Sequence, residues 1–151
     1  MQIALKVDVD TYRGTLEGVP AGRYRLSEQR GRRVVLAFYP GDFTPVCTKQ
    51  LNSYNDDLAQ FEALDAQVIG ISAQDVASKE RFAEKYGFRF PLLADTDKKV
   101  AEAYGILGPM GFPRRSVFIV DAKGVVRYAH KAIAGLTFRP VDELVAALAA
   151  L

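Results

Sequence analysis

The sequence predicts an α/β sandwich of about five strands, and three observations carry that reading. Short runs of branched and aromatic residues alternate with segments of helical spacing. Each run ends in turn-forming residues. The 151 residues fit one compact domain, taken as 1–151, with little room for a second.

In chain order, the first 30 residues carry Gly14, Gly18, Pro20 and Gly22 and read as a short β extension of strands and turns. Residues 34–39 are a buried-strand run closed by Pro40. Leu51, Tyr54, Leu58, Phe61 and Leu64 then advance by three or four residues and line one face of a helix. A second strand over 67–72 follows, punctuated by Asp75. Phe82 with Tyr86 marks a shorter helix, and Val100 with Tyr104 another. Residues 117–120 are a third apolar run, ended by Asp121, and the turn Ala122-Lys123-Gly124 leads into 125–131, so the pair reads as a hairpin. Val141, Leu144, Val145 and Leu148 stripe a final helix, with Asp142 and Glu143 at its N-terminus, where negative charge is favoured.

Composition excludes several classes. Hydrophobic residues make up 49% and charged residues 25%, the balance of an ordinary globular protein. A net charge of +2 is too small to imply a nucleic-acid partner, and Arg30-Gly31-Arg32-Arg33 reads as a solvated turn entering a strand. Charges interrupt every apolar stretch at the N-terminus, and no run approaches the ~18 residues of a membrane span. Neither a signal peptide nor a membrane partner is expected, and a cytoplasmic location follows by default. Cys47 and His130, one cysteine and one histidine, rule out a disulfide within the chain and fall short of a zinc set, so no metal or cofactor is expected.

The informative segment is Phe38-Tyr39-Pro40-Gly41-Asp42-Phe43-Thr44-Pro45-Val46-Cys47-Thr48. Thr44 is suited to be an N-cap, its hydroxyl accepting from an otherwise unpaired backbone N–H, and Pro45 suits the first helical position. Cys47 then falls third in the helix, where capping boxes place a carboxylate and the dipole favours an anion, so it is placed to be a thiolate. A free thiol titrates near 8.5, so roughly 7% is ionised at a pH of about 7.4, and full ionisation gains only ~1.5 kcal/mol of barrier. Specialised chemistry at this sulfur needs fixed donors and a cation as well.

Pro40, Thr44 and Cys47, spaced P-x-x-x-T-x-x-C, resemble the active-site pattern of the peroxiredoxin family, the alkyl hydroperoxide reductase and thiol-specific antioxidant proteins. Arg115-Ser116-Val117-Phe118-Ile119-Val120-Asp121 is similar to that family's arginine-bearing strand, and the likeness runs from about Leu26 to the C-terminus, through Phe90-Pro91-Leu92-Leu93-Ala94-Asp95. The sequence looks most like the bacterioferritin-comigratory, or peroxiredoxin Q, group. The resemblance implies a thioredoxin-like fold and a thiol peroxidase acting on hydrogen peroxide or organic hydroperoxides. Cys47 would become a sulfenic acid, Pro40 would shield the thiolate, Thr44 would hydrogen-bond the peroxide, and Arg115 would stabilise thiolate and transition state, a task suited to a guanidinium fork.

Three departures qualify the likeness. The Ala-Pro-x-Phe opening common in the family is missing, Gln50 stands where glutamate is frequent, and Asn52 stands where many members carry a second cysteine. Resolution within this chain is therefore impossible, and an external thiol (thioredoxin, glutaredoxin or a low-molecular-weight thiol) is the expected reductant, acting on a monomer or homodimer. The alternative on the same scaffold is a redox sensor or holdase-type chaperone that reads the oxidation state of Cys47.

The neighbours carry blander expectations. Alternation sends Arg114 and Arg115 to opposite faces of a strand, so only one should matter. His130 reads as a hairpin residue, and Asp42 and Asp121 as capping and turn residues. Met110 and Phe112 in the apolar loop 108–113 fit core contacts, a peroxide entrance or a contact surface equally well.

Overall fold

The computed structural model describes residues 8–12, 22–29, 31–132 and 137–151. Gly14, Gly18, Pro20 and Arg30 lie outside the described residues. The chain runs through β1 (Asp8–Tyr12), β2 (Gly22–Arg25), a turn of 3-10 helix (Leu26–Gln29), β3 (Arg33–Phe38), α1 (Pro45–Asp56) and α2 (Leu58–Glu62). It continues through β4 (Ala66–Ser72), α3 (Val76–Tyr86), β5 (Leu92–Ala94), α4 (Lys99–Ala103), β6 (Ser116–Val120), β7 (Val126–Lys131) and α5 (Val141–Ala149).

These strands form one mixed sheet ordered β2-β1-β5-β4-β3-β6-β7. Its centre, β5-β4-β3-β6-β7, is the expected five-stranded sheet of a thioredoxin-like sandwich, and β1–β2 is the expected N-terminal extension, antiparallel to β5. β3 and β4 are parallel, Val35 opposite Val68, so their connection must cross the sheet, and α1 and α2 supply that crossover. β6 runs antiparallel to β3, with Phe38 opposite Ser116, which brings the chain just before β6 to the end of β3 where the Pro40 loop begins.

Strand alternation feeds two cores. Val35, Ala37, Val68, Val117 and Ile119 face α1, α2, α3 and α5 through Leu51, Phe61, Phe82, Leu144 and Leu148. Val34, Leu36, Phe38, Ile69 and Phe118 face α4 and the 3-10 turn through Leu26, Val100 and Tyr104.

Two elements differ from expectation. The helix face from Leu51 to Leu64 is divided between α1 and α2, because Asp57 leaves helical geometry (φ −106°, ψ 20°) after Asn55-Asp56, residues whose short polar side chains compete for backbone hydrogen bonds. The apolar face nonetheless continues, with Leu51, Tyr54, Leu58 and Phe61 buried. The three-residue strand β5 was not anticipated from periodicity, since so short a run has none to show.

Candidate active site

Pro45 is the first residue of α1, so Cys47 is the third, as the sequence requires. Thr44 occupies the N-cap position with extended backbone (φ −74°, ψ 146°), and its carbonyl accepts from Thr48 N–H at 2.9 Å. Its side chain does not cap. The Thr44 hydroxyl donates instead to the Gly41 carbonyl at 2.9 Å, a correction to the expected hydrogen bond. Phe43, the residue between, sits in the left-handed region (φ 64°), and that reversal brings the Gly41 carbonyl within reach of the hydroxyl. A non-glycine residue there costs ~1–2 kcal/mol, so the loop is held in a strained shape.

Cys47 is buried, with no exposed surface. Arg115, just ahead of β6 and also buried, lays its guanidinium fork across the first turn of α1. Nη2 lies 3.2 Å from Cys47 Sγ, and Nη1 donates to Gln50 Oε1 at 2.5 Å. Gln50 passes the chain on, its Nε2 donating to Tyr54 Oη at 3.1 Å, while the Tyr54 hydroxyl donates to the Arg139 carbonyl at 3.0 Å. Burial pushes the Tyr54 phenol up to about 12, so it remains a donor across the ordinary pH range. Gln50, where the resembled family often has glutamate, thus supplies an acceptor without a competing negative charge beside the thiol.

Arg114 is exposed, while Arg115 is 4% exposed. The split between faces is as the alternation predicts, although both residues precede the strand. A cleft of about 340 Å³ is lined by Pro40, Met110, Phe112, Pro113, Arg114 and Arg115 among others, so the apolar loop 108–113 forms its wall. Met110 is 82% exposed and Phe112 55%, which places both at the rim rather than in the core. His130 stands on β7 opposite Val117, half-buried and away from that cleft, and Asp121 is the expected turn residue, its carboxylate accepting from Lys123 and Val125 N–H groups at 2.9 Å each. Among the described residues, no three His, Cys, Asp or Glu side chains converge as a metal site.

One cluster escaped the sequence reading. Lys79, in α3, is fully buried with the Asp42 carboxylate, 3.0 Å apart and at most 1% exposed. Asp42 is therefore an ion-pair partner, not a cap. Lys79 also donates to Tyr39 Oη at 3.3 Å and to Ser72 Oγ. Burial pushes the Lys79 ammonium down to about 8 against the pull of Asp42, and burial followed by the Asp42 charge raises the Tyr39 phenol well above its ordinary value. A signal was available: Lys79 stands three residues before Phe82 and seven before Tyr86, on the apolar stripe of α3.

A profile of the AhpC/TSA family matches residues 10–129. Peroxiredoxin Q of Triticum aestivum, a chloroplastic protein, is 40% identical over 118 residues, covering 77% of this chain and 54% of its own length. The chain spans about half the length of the curated relatives it matches first. Among solved structures, the bacterioferritin comigratory protein of Xanthomonas campestris, studied for alkyl peroxide reduction, superposes with a TM-score of 0.82 at 27% identity, covering 95% of this chain and 90% of that one. AhpC of Enterococcus faecalis superposes with a TM-score of 0.88 at 25% identity, covering 99% and 89%.

Proposed function

The chain belongs to the AhpC/TSA family, and from that premise we propose that it is a thiol-dependent peroxidase that reduces hydrogen peroxide and organic hydroperoxides with an external thiol. The observation that carries this reading is the Arg115 fork, one arm 3.2 Å from Cys47 Sγ at the start of a helix. A guanidinium and a helix N-terminus both favour negative charge on that sulfur. The alkyl peroxide reduction studied in the Xanthomonas campestris neighbour supports the organic branch of the substrate class, as does the apolar wall of the cleft.

In the proposed cycle the Cys47 thiolate attacks the terminal oxygen of the hydroperoxide. The S–O bond forms as the O–O bond breaks, sulfur loses two electrons, and the alkoxide or hydroxide leaving group takes up a proton. Arg115 stabilises the charge that moves from sulfur to the leaving oxygen. The Thr44 hydroxyl, its proton on the Gly41 carbonyl, keeps its oxygen lone pairs to accept the hydroperoxide O–H. Pro40, half-buried in the cleft wall, limits water at the sulfur. An external thiol then attacks the sulfenic acid, giving a mixed disulfide and water. A second thiol releases Cys47 and carries away the disulfide.

Steady-state peroxide consumption against thioredoxin, glutaredoxin with glutathione, and small thiols tests the proposal. Wild-type protein should turn over many times and Cys47→Ser not at all. One equivalent of peroxide should yield a sulfenic acid that a sulfenate reagent traps, and excess peroxide without thiol should drive it to sulfinic acid. A single stoichiometric oxidation with no turnover on any reductant would refute the enzyme reading.

A further inference from the structure

We propose that Asp42 and Lys79 form a clamp on the loop 40–44 and so control how often Cys47 opens to an external thiol. They are thus positioning residues for the second half of the cycle. The inference rests on the reading that the reductant comes from outside this chain.

The buried sulfur poses the problem. Cys47 has no exposed surface, yet a thiol must bring its own sulfur to bonding distance of Cys47 Sγ together with the carbon chain behind it. The first turn of α1 and the loop ahead of it must move for that to happen. Asp42 is the centre of what holds the loop. Its Oδ1 accepts from Tyr39 Oη at 2.7 Å, Lys79 Nζ at 3.0 Å and Ser72 Oγ at 3.1 Å, and its Oδ2 accepts from Ser78 Oγ at 2.7 Å. Its backbone N–H donates to Gln74 Oε1 at 3.1 Å. One side chain thus ties the segment that carries Pro40 and Thr44 to the ends of β3 and β4 and to the start of α3.

Strain at Phe43 is the independent observation. Its left-handed backbone follows Asp42 directly, and such a conformation persists only where its surroundings over-determine it. The ring, 42% exposed and 4.9 Å from the Phe82 ring, gives the loop one further and partial tie to α3. Opening would relax Phe43, but it would also leave a buried ammonium without its carboxylate, and a buried charge stripped of its partner is strongly unfavourable. A strained loop tied down chiefly through one carboxylate can open as a unit, and in the proposal the ion pair biases how often it does.

The test uses reduced protein without peroxide, so it stands apart from any failure of the peroxidase reading. Amide hydrogen exchange and the rate of Cys47 with a bulky aryl disulfide are measured in wild type, in Asp42→Asn/Lys79→Met and in Ser78→Ala. The paired substitution removes both charges at once, and Ser78→Ala removes only one bond to Asp42. The expected result is about tenfold faster exchange at Asp42 and Thr48 and about tenfold faster disulfide reaction in the paired variant, with two- to threefold changes in Ser78→Ala. Protection in β3, β4 and β6 should stay as in wild type. Unchanged exchange in 41–48, faster exchange without faster disulfide reaction, or an equal rise across the whole sheet would each overturn the clamp. If the paired variant does not fold, Ser78→Ala decides alone.

Discussion

Arg115 reaches both the Cys47 sulfur and the Gln50 amide oxygen with its fork, and that makes its replacement informative. A lysine offers one ammonium, which cannot reach both acceptors in the fixed planar geometry of a guanidinium. Arg115→Lys and Arg115→Ala should therefore each slow oxidation of Cys47 by peroxide at least about tenfold (~1.4 kcal/mol) in single-turnover measurements. Arg114→Ala, at an exposed position, should cost little. Equal losses at both positions would contradict the arrangement. Thr44 invites a similar comparison, since its hydroxyl closes the loop on Gly41 and is the proposed acceptor for the peroxide. Thr44→Ser should retain most of the rate, and Thr44→Val should lose about tenfold or more.

Elements fix the site by where they begin. The end of β3 and the residues before β6 meet because the two strands are antiparallel in a register that sets Phe38 opposite Ser116. Arg115 is then carried to α1 by strand pairing, and the helix needs only to start at Pro45 for its third residue to meet the guanidinium. Gly70 in β4 shows how tightly the neighbouring strands are packed. A Cβ there would stand 2.7 Å from Leu92 Cδ2 and 3.4 Å from the Tyr39 ring. Gly70→Ala should therefore destabilise the protein by ~1–3 kcal/mol in denaturant unfolding, as overpacked cores do. Its effect should extend to the Asp42 cluster through Tyr39, so Cys47 should also become more reactive toward an aryl disulfide.

For the whole molecule, the buried ion pair makes a pH signature. The folded state releases the Lys79 proton near pH 8, while the unfolded chain holds it to about 10.5. Between those values the unfolded state binds more protons at this group, so Lys79 alone makes the free energy of unfolding rise with pH. Above about pH 9.5 the net sign reverses, because burial keeps Tyr24, Tyr39, Tyr54 and Tyr104 protonated in the folded state while the unfolded phenols ionise. Unfolding measured at pH 7, 8 and 9 should show a gain of ~1 kcal/mol by pH 9. Asp42→Asn/Lys79→Met should flatten that gain, and a wild-type profile already flat from 7 to 9 would show that Lys79 keeps an ordinary titration when buried.

The sequence by itself determined the strands β3, β4, β6 and β7, the helical face from Leu51 to Phe61 and the placing of Cys47 third in its helix, because each is written in local periodicity or in adjacent capping residues. It also singled out Arg115 through a motif. Only the tertiary structure decided what these residues touch. The Arg115 fork reaches Gln50 across 65 positions of chain, and the Lys79 ammonium reaches Asp42 across 37. Neither contact leaves a local pattern, since both are made by register between strands and by a helix laid over their ends. The Thr44 hydroxyl shows the same limit at short range. Its position was legible from the chain, but its single proton goes to whichever acceptor the folded loop brings closest, and the turn at Phe43 makes that the Gly41 carbonyl.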